Sequence, residues 1–201
     1  MSTWMEQIRL LLEQPRPERD PILVAGSGPG AALRQAAVLI PLYVRDKELW
    51  TLLTKRTETV EHHKGQISFP GGGKEPHDEN LWQTAIRETE EEIGVPKAGV
   101  RLLGALPKFV TVTDFEVFPF VGAIPYPVAF KKAEGEVESI LEIPVSYLLN
   151  PQVVETRPVV WRGKSIETVI YHYSGHAIWG ATAHILTDLL DVMREGSSSR
   201  S

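Results

Sequence analysis

Four glutamates crowd into five positions of the stretch AIRETEEEIGV, residues 85–95: Glu88, Glu90, Glu91 and Glu92. Like charges repel, and a like-charge pair one turn apart mildly destabilises a helix. Projected at about 100° per residue, a helix over 79–93 carries Leu81, Trp82, Ala85, Ile86, Thr89 and Ile93 on one broad arc. Glu88, Glu91 and Glu92 fall on a second arc beside it, and Glu90 lies away, toward solvent. Three carboxylates on one rigid element, at the border of core and water, are the hard oxygen ligands that Mg2+ or Mn2+ takes, usually shared with substrate phosphates. A bound cation turns the repulsion into coordination. The plainer alternative is a solvated acidic face, the usual fate of a charge run.

The elements that must position these carboxylates follow from local pattern. Asp78 is placed as an N-cap for the 79–93 helix, with Glu79 in the first turn complementing the dipole. Gly94 is placed as the glycine just past its end, and Pro96 blocks continuation. Upstream, QISFPGGGKEPHD (66–78) begins extended and ends as a glycine-rich loop. AAVLIPLYV (36–44) and LWTLLTKR (49–56) are strand-like, turning at RDKE. VRLLGALPKFVT (100–111), FEVFPFVGAI (115–124) and EVESILEIPV (136–145) are further strands, the last leading into a helical turn near SYLLN. RPVVWRGKSIETVIYHY (157–173) reads as a hairpin turning at Arg162-Gly163-Lys164, and GATAHILTDLLDVM (180–193) as an amphipathic helix. Residues 3–14 form an N-terminal helix, and PRPERDPILVAGSGPGA (15–31) an irregular connector. The expected organisation is an N-terminal helix and connector (1–35), one mixed α/β domain (36–194) and a flexible tail (195–201).

Composition narrows the chemistry. The chain has 201 residues, 42% hydrophobic and 23% charged, ordinary for one globular domain. Its six histidines are scattered or adjacent; His62 and His63 point apart and make a poor chelate. With no cysteine there is no thiolate site, no disulfide framework and no cysteine nucleophile. No apolar run reaches membrane-spanning length and the N-terminus lacks signal-peptide features, so a cytoplasmic location is expected. The formal net charge is −5 and no run of Lys and Arg occurs, which speaks against nucleic acid as a partner. An anionic substrate would need a local cation to offset this field.

The residues flanking the glutamates sharpen the choice. Gly73, five residues, Glu79, seven residues, Arg87-Glu88, Thr89, one residue, Glu91-Glu92, one residue, Gly94-Val95: this resembles the Nudix box, G-x5-E-x7-R-E-U-x-E-E-x-G-U, with U aliphatic. The one departure is Thr89 at the first U. The resemblance implies the Nudix α/β/α sandwich with a mixed sheet, the box forming its loop–helix–loop. LLTKRTETVEHHKGQISFPGG (52–72) is similar to the signature of the coenzyme A pyrophosphatase branch, L-L-T-x-R-[SA]-x3-R-x3-G-x3-F-P-G-G. Leu52, Leu53, Thr54, Arg56, Gly65, Phe69, Pro70, Gly71 and Gly72 match it; Thr57 replaces Ser/Ala and Glu61 replaces arginine. IWGATAHILTDLL (178–190) resembles the branch's C-terminal helix.

The resemblance implies a metal-dependent hydrolase of a small-molecule nucleoside diphosphate derivative, with Mg2+ or Mn2+ as cofactor. The branch implies coenzyme A or a derivative, cleaved to 3′,5′-ADP and 4′-phosphopantetheine. ADP-ribose or a dinucleoside polyphosphate is the alternative within the family; a non-catalytic Nudix-fold module, which should lose box glutamates, is the alternative outside it. Glu88 and Glu92 are then the primary metal ligands, Glu91 a further or water-mediated one, and the Gly73 carbonyl another. Arg87 orients the glutamates and Glu79 ties the loop to the helix. Arg56 is the phosphate contact, while Lys55, Lys64, Lys74 and Lys108 are expected to be ordinary surface lysines. The base that activates water comes from the box, as Glu91, or from a later loop, where Glu134, Glu136 and Glu138 are candidates and Glu136 the best placed. Trp161, Trp179, Tyr171 and Tyr173 are expected to pack in the core or sheet. A homodimer is compatible with all of this.

Overall fold

A computed structural model describes residues 3–14, 33–57, 65–111, 113–161 and 164–198. The expected connector 15–31, the turn residues 162–163, His62, His63, Lys64 and the divergent Glu61 lie outside the described residues.

The elements run α1 (Thr3–Leu12), β1 (Arg34–Arg45), β2 (Glu48–Arg56), β3 (Ile67–Ser68), β4 (Gly71–Gly73), α2 (Leu81–Ile93), β5 (Arg101–Ala105), β6 (Phe109–Val110), β7 (Phe115–Ala123), β8 (Val137–Pro144), α3 (Val145–Leu148), β9 (Val154–Trp161), β10 (Lys164–Tyr173), β11 (His176–Ile178) and α4 (Gly180–Ser198). Two sheets result. One has eight strands, with β1 at its heart and parallel to β7; the other is the antiparallel trio β11-β10-β9. Every other pairing in the large sheet is antiparallel, so it is mixed, as expected.

β1 is apolar along most of its length because both faces of the sheet are covered. Ala37, Leu39 and Tyr43 pack with Ala85 and Ile93 of α2. Ile40 and Leu42, on alternate positions, pack with Met5 and Ile8 of α1 and with Leu186, Leu189 and Leu190 of α4. The period-2 alternation of β1 thus sorts its side chains between two helical layers, and the fold is the α/β/α sandwich.

Several local expectations change. The glycine-rich loop is instead β4: Gly71, Gly72 and Gly73 pair antiparallel with Val38, Ala37 and Ala36. β2 pairs with β1 over Glu48–Thr51, then with β3 at Thr54 and Lys55, so β3 and β4 occupy the gap where β1 and β2 part. A Cβ at Gly71 would lie 2.4 Å from the Ala37 carbonyl, an approach only glycine permits. The strand expected over 100–111 is two strands, β5 and β6, separated at Leu106-Pro107-Lys108. α4 runs on to Ser198, so residues 195–198, expected in a loose tail, are helical; Gly196 lies against Leu11 of α1. Tyr171 is buried and Tyr173 donates to the Glu142 carbonyl, but Trp179, expected to pack, is 58% exposed. Among the described residues, no helix is long and apolar enough to cross a membrane.

Candidate active site

α2 starts later than its sequence suggests. Asn80, not Asp78, is the N-cap: its side chain accepts from the Gln83 N–H, and the helix begins at Leu81. Asp78 turns inward instead and is buried. At the other end Gly94 adopts φ 73° and its N–H returns to the Glu90 carbonyl, as the position requires. Thr89, the off-pattern residue on the core face, is fully buried and spends its hydroxyl on the Ala85 carbonyl. Glu90 faces away and accepts from the Lys97 N–H.

Arg87 is the hub of the helix's first half. Its Nε and Nη2 donate to Asp78 Oδ1 and Oδ2 at 2.9 and 3.0 Å. Nη1 donates to Glu88 Oε1 and Glu91 Oε2, both at 2.9 Å, and Nη2 also donates to the Gly73 carbonyl at 3.2 Å. The arginine is buried. Arg87 therefore bonds to two of the three clustered glutamates and to the Gly73 carbonyl. Glu79 does not tie loop to helix: it is exposed, and Asp78 makes that tie. Glu88 packs so closely on β4 that a Cβ at Gly72 would lie 2.5 Å from its Oε1. Burial pushes the Glu88 carboxyl above its ordinary range, with Arg87 opposing.

Glu92 lies one helical turn on from Glu88. It is 2% exposed, and burial pushes its carboxyl up to about 8, opposed by Arg56 and a hydrogen bond from the Gly71 N–H, and reinforced by Glu88 and Glu136. Leu52, Thr54 and Arg56 share one face of β2, and that face meets α2. Thr54 Oγ1 lies 3.5 Å from Glu92 Oε2, and Arg56 Nη1 lies 3.4 Å from Glu92 Oε1. The register between β2 and β8 shifts at Lys55/Arg56, where β8 carries one extra residue, Glu138, between the partners Ser139 and Val137. Arg56 Nη2 stands 3.9 Å from Glu136 Oε2, and its buried Nε has no hydrogen-bond partner among the described residues.

The segment before β8 is laced to α2. Lys131 N–H donates to the Ile93 carbonyl and Ala133 N–H to the Glu92 carbonyl, satisfying helix-end acceptors. Thr57 clasps the same loop: its N–H donates to the Glu136 carbonyl and its hydroxyl to the Gly135 carbonyl at 3.1 Å. Of the three later-loop glutamates, Glu136 alone reaches Arg56; Glu138 pairs with Lys55 at 2.7 Å and Glu134 stands exposed. Lys108 pairs with Glu116. The structure thus brings Gly73, Glu88, Glu91, Glu92, Arg87, Arg56 and Glu136 together at one end of the sheet. Asp78 and Thr57 are the residues sequence reasoning passed over as site elements.

The donors available to a cation are all hard oxygens, as Mg2+ or Mn2+ requires. Glu88 and Glu92 are desolvated with their carboxyls shifted upward, which marks buried negative charge short of positive compensation. This set fits a divalent ion. Among the described residues no three carboxylate or imidazole groups already converge as a closed cage. The guanidinium of Arg87 contacts both Glu88 and Glu91.

A family model for the NUDIX domain matches residues 33–155. The chain is 38% identical over 156 residues to a protein of Salmonella newport named as an uncharacterized Nudix hydrolase, NudL; the match covers 78% of this chain and 81% of that one. The fold is similar to that of a NUDIX hydrolase from Alicyclobacillus acidocaldarius, at 19% identity and TM-score 0.55, over 81% of this chain and 93% of the other. A MutT protein from Methanosarcina mazei is similar to the same degree, at 19% identity and TM-score 0.54, over 84% of this chain and 98% of the other.

Proposed function

The chain belongs to the Nudix hydrolase family, and on that premise we propose that it cleaves the diphosphate linkage of coenzyme A or a derivative, releasing 3′,5′-ADP and 4′-phosphopantetheine or its acylated form. The observation that carries the reaction is Arg56, which stands between Glu92 and Glu136 with an unpartnered buried Nε among the described residues. Its long contacts leave it free to grip a phosphate with two parallel hydrogen bonds. The choice of coenzyme A rests on the sequence signature at 52–72 and on the similarity at 178–190.

Gly73, Glu88, Glu91 and Glu92 would hold the metal, Mg2+ or Mn2+. When bound, the cation neutralises diphosphate oxygens and lowers the pKa of water. Arg87 orients Glu88 and Glu91. Glu136 accepts a proton from the attacking water as its oxygen bonds to one phosphorus and the bridging P–O bond breaks; Glu91, half exposed on the box, is the alternative base. The leaving phosphate departs with the bridging oxygen.

Hydrolysis of a panel comprising coenzyme A, dephospho-coenzyme A, an acyl-coenzyme A, ADP-ribose and a dinucleoside polyphosphate, with Mg2+ and with Mn2+, tests the substrate. The expected result is highest kcat/KM on coenzyme A or its acyl form, with 3′,5′-ADP as product. A protein that ignores coenzyme A and cleaves ADP-ribose well contradicts the branch assignment and leaves the family intact. Glu61→Arg should lower the KM for coenzyme A more than that for dephospho-coenzyme A, if position 61 meets the 3′-phosphate.

A further inference from the structure

Every N–H of the Arg87 guanidinium is used: Nε on Asp78, Nη2 on Asp78 and the Gly73 carbonyl, Nη1 on Glu88 and Glu91. Of the three carboxylates it touches, Asp78 is the most deeply buried. Asp78 is buried, and it is itself held from three other directions: the Thr84 hydroxyl donates to Oδ2 at 2.9 Å, the Glu75 N–H donates to Oδ2 at 2.9 Å, and the Asp78 N–H returns to the Glu75 carbonyl at 3.0 Å.

We propose that Asp78 is the positioning residue of the metal-binding carboxylates. By gripping Arg87 along its Nε–Nη2 edge, it fixes the plane from which Nη1 holds Glu88 and Glu91 and Nη2 holds the Gly73 carbonyl. This rests on reading those oxygens as the metal site. Motif spacing assigns the tie to Glu79, but Glu79 is exposed and Asp78 has the geometry. Two parallel bonds along one edge remove the rotation of a guanidinium about its own axis, which a single contact does not. The Arg87 hydrogen bond, aided by Glu75 and Thr84, holds the Asp78 carboxyl well below the usual carboxylate range. Asp78 touches neither ligand oxygen directly; it acts through the arginine.

Outer-shell groups of this kind change metal affinity about 10–100-fold when removed. The test is Mn2+ binding to the whole protein, followed by the electron paramagnetic resonance of the free ion, with kcat and KM for coenzyme A at saturating Mn2+ alongside. In Asp78→Asn the Mn2+ half-saturation should rise about 10–100-fold while the substrate KM stays put, and Glu79→Gln should bind Mn2+ as the wild type does. In an Arg87→Lys background, Asp78→Asn should add little further loss, because its route is already cut. Unchanged Mn2+ binding in a folded Asp78→Asn protein, or an equal loss in Glu79→Gln, overturns the proposal while leaving the hydrolase reading in place. Absence of Mn2+ binding in the wild type overturns both. Should Asp78→Asn fail to fold, Thr84→Val removes a single donor from Asp78 without touching charge: a rise in Mn2+ half-saturation supports the assignment, and none overturns it.

Discussion

Two arginines serve the same site and are held in opposite ways. Arg87 is saturated: its guanidinium donates to two carboxylates at 2.9 Å through Nη1 and to Asp78 at 2.9 and 3.0 Å through its other edge. Arg56 is under-satisfied: its nearest carboxylates stand at 3.4 and 3.9 Å, and its Nε is buried without a partner among the described residues. Saturation marks a structural group whose bonds are complete before substrate arrives. Spare donors in a desolvated position mark a group waiting for an anion. On the proposed reading, the same residue type is divided between building the site and using it.

Removing the saturated arginine should break the comparison most violently. Arg87→Met leaves Asp78 buried without its cation, and one-sided loss of a buried pair costs about 3–5 kcal/mol. Chemical denaturation should report a loss of that size; a loss under about 1 kcal/mol, as exposed pairs give, would mean that the network is solvated. Arg56→Lys keeps charge but loses the two-pronged geometry. It should leave stability nearly unchanged and lower kcat/KM by about 1–3 kcal/mol of transition-state stabilisation, in the range of hydrogen bonds to charged groups. A stability loss matching that of Arg87→Met would erase the distinction.

How much of this was legible depended on sequence separation. The α2 helix and its end at Gly94 could be read because apolar spacing and a left-handed glycine act within a few residues. The three glutamates could be read for the same reason. Asp78 was missed because a short polar residue before a helix looks like a cap, and only the inward turn at residues 75–78 reveals that Asn80 caps and Asp78 is buried. β4 was missed because three glycines have no strand propensity; they pair because β1 and β2 diverge and leave unpaired backbone to be covered. Arg56 meets Glu136 only through the β2–β8 pairing and its register shift, which no local spacing encodes.

The electrostatic asymmetry has a pH signature. The Glu92 carboxyl is raised to about 8 in the fold, chiefly by burial, above its unfolded value near 4.5. An acid so shifted binds its proton better folded than unfolded, so it costs stability above pH ~4.5, a cost complete only beyond pH 8. With metal chelated, Glu92→Gln should therefore melt higher than wild type at pH 8, and the gap should close as pH falls toward 5. A few degrees is the expected scale, since each kcal/mol moves a domain of this size by about 2–4 °C. A gap that widens on acidification contradicts the assignment of Glu92 as the buried, under-compensated carboxylate. The smallest effect belongs to Thr57. Its hydroxyl pins the loop bearing Glu136, so Thr57→Val should cost about 1 kcal/mol or less in stability and lower kcat, while Thr57→Ser, which keeps the hydroxyl, should resemble wild type in both.

The central claim is that buried carboxylates on α2, Glu92 foremost, carry a metal-dependent hydrolysis for which Arg56 supplies the phosphate grip. The most direct measurement is turnover of coenzyme A in limiting Mg2+ or Mn2+, and in chelator, by wild type, Glu92→Gln and Glu90→Gln. The account predicts activity only with metal, a fall of orders of magnitude in Glu92→Gln with the fold intact, and near-wild-type turnover in Glu90→Gln, whose side chain faces the Lys97 turn. Wild-type turnover by a folded Glu92→Gln protein, or turnover of the wild type undiminished by chelator, would contradict it.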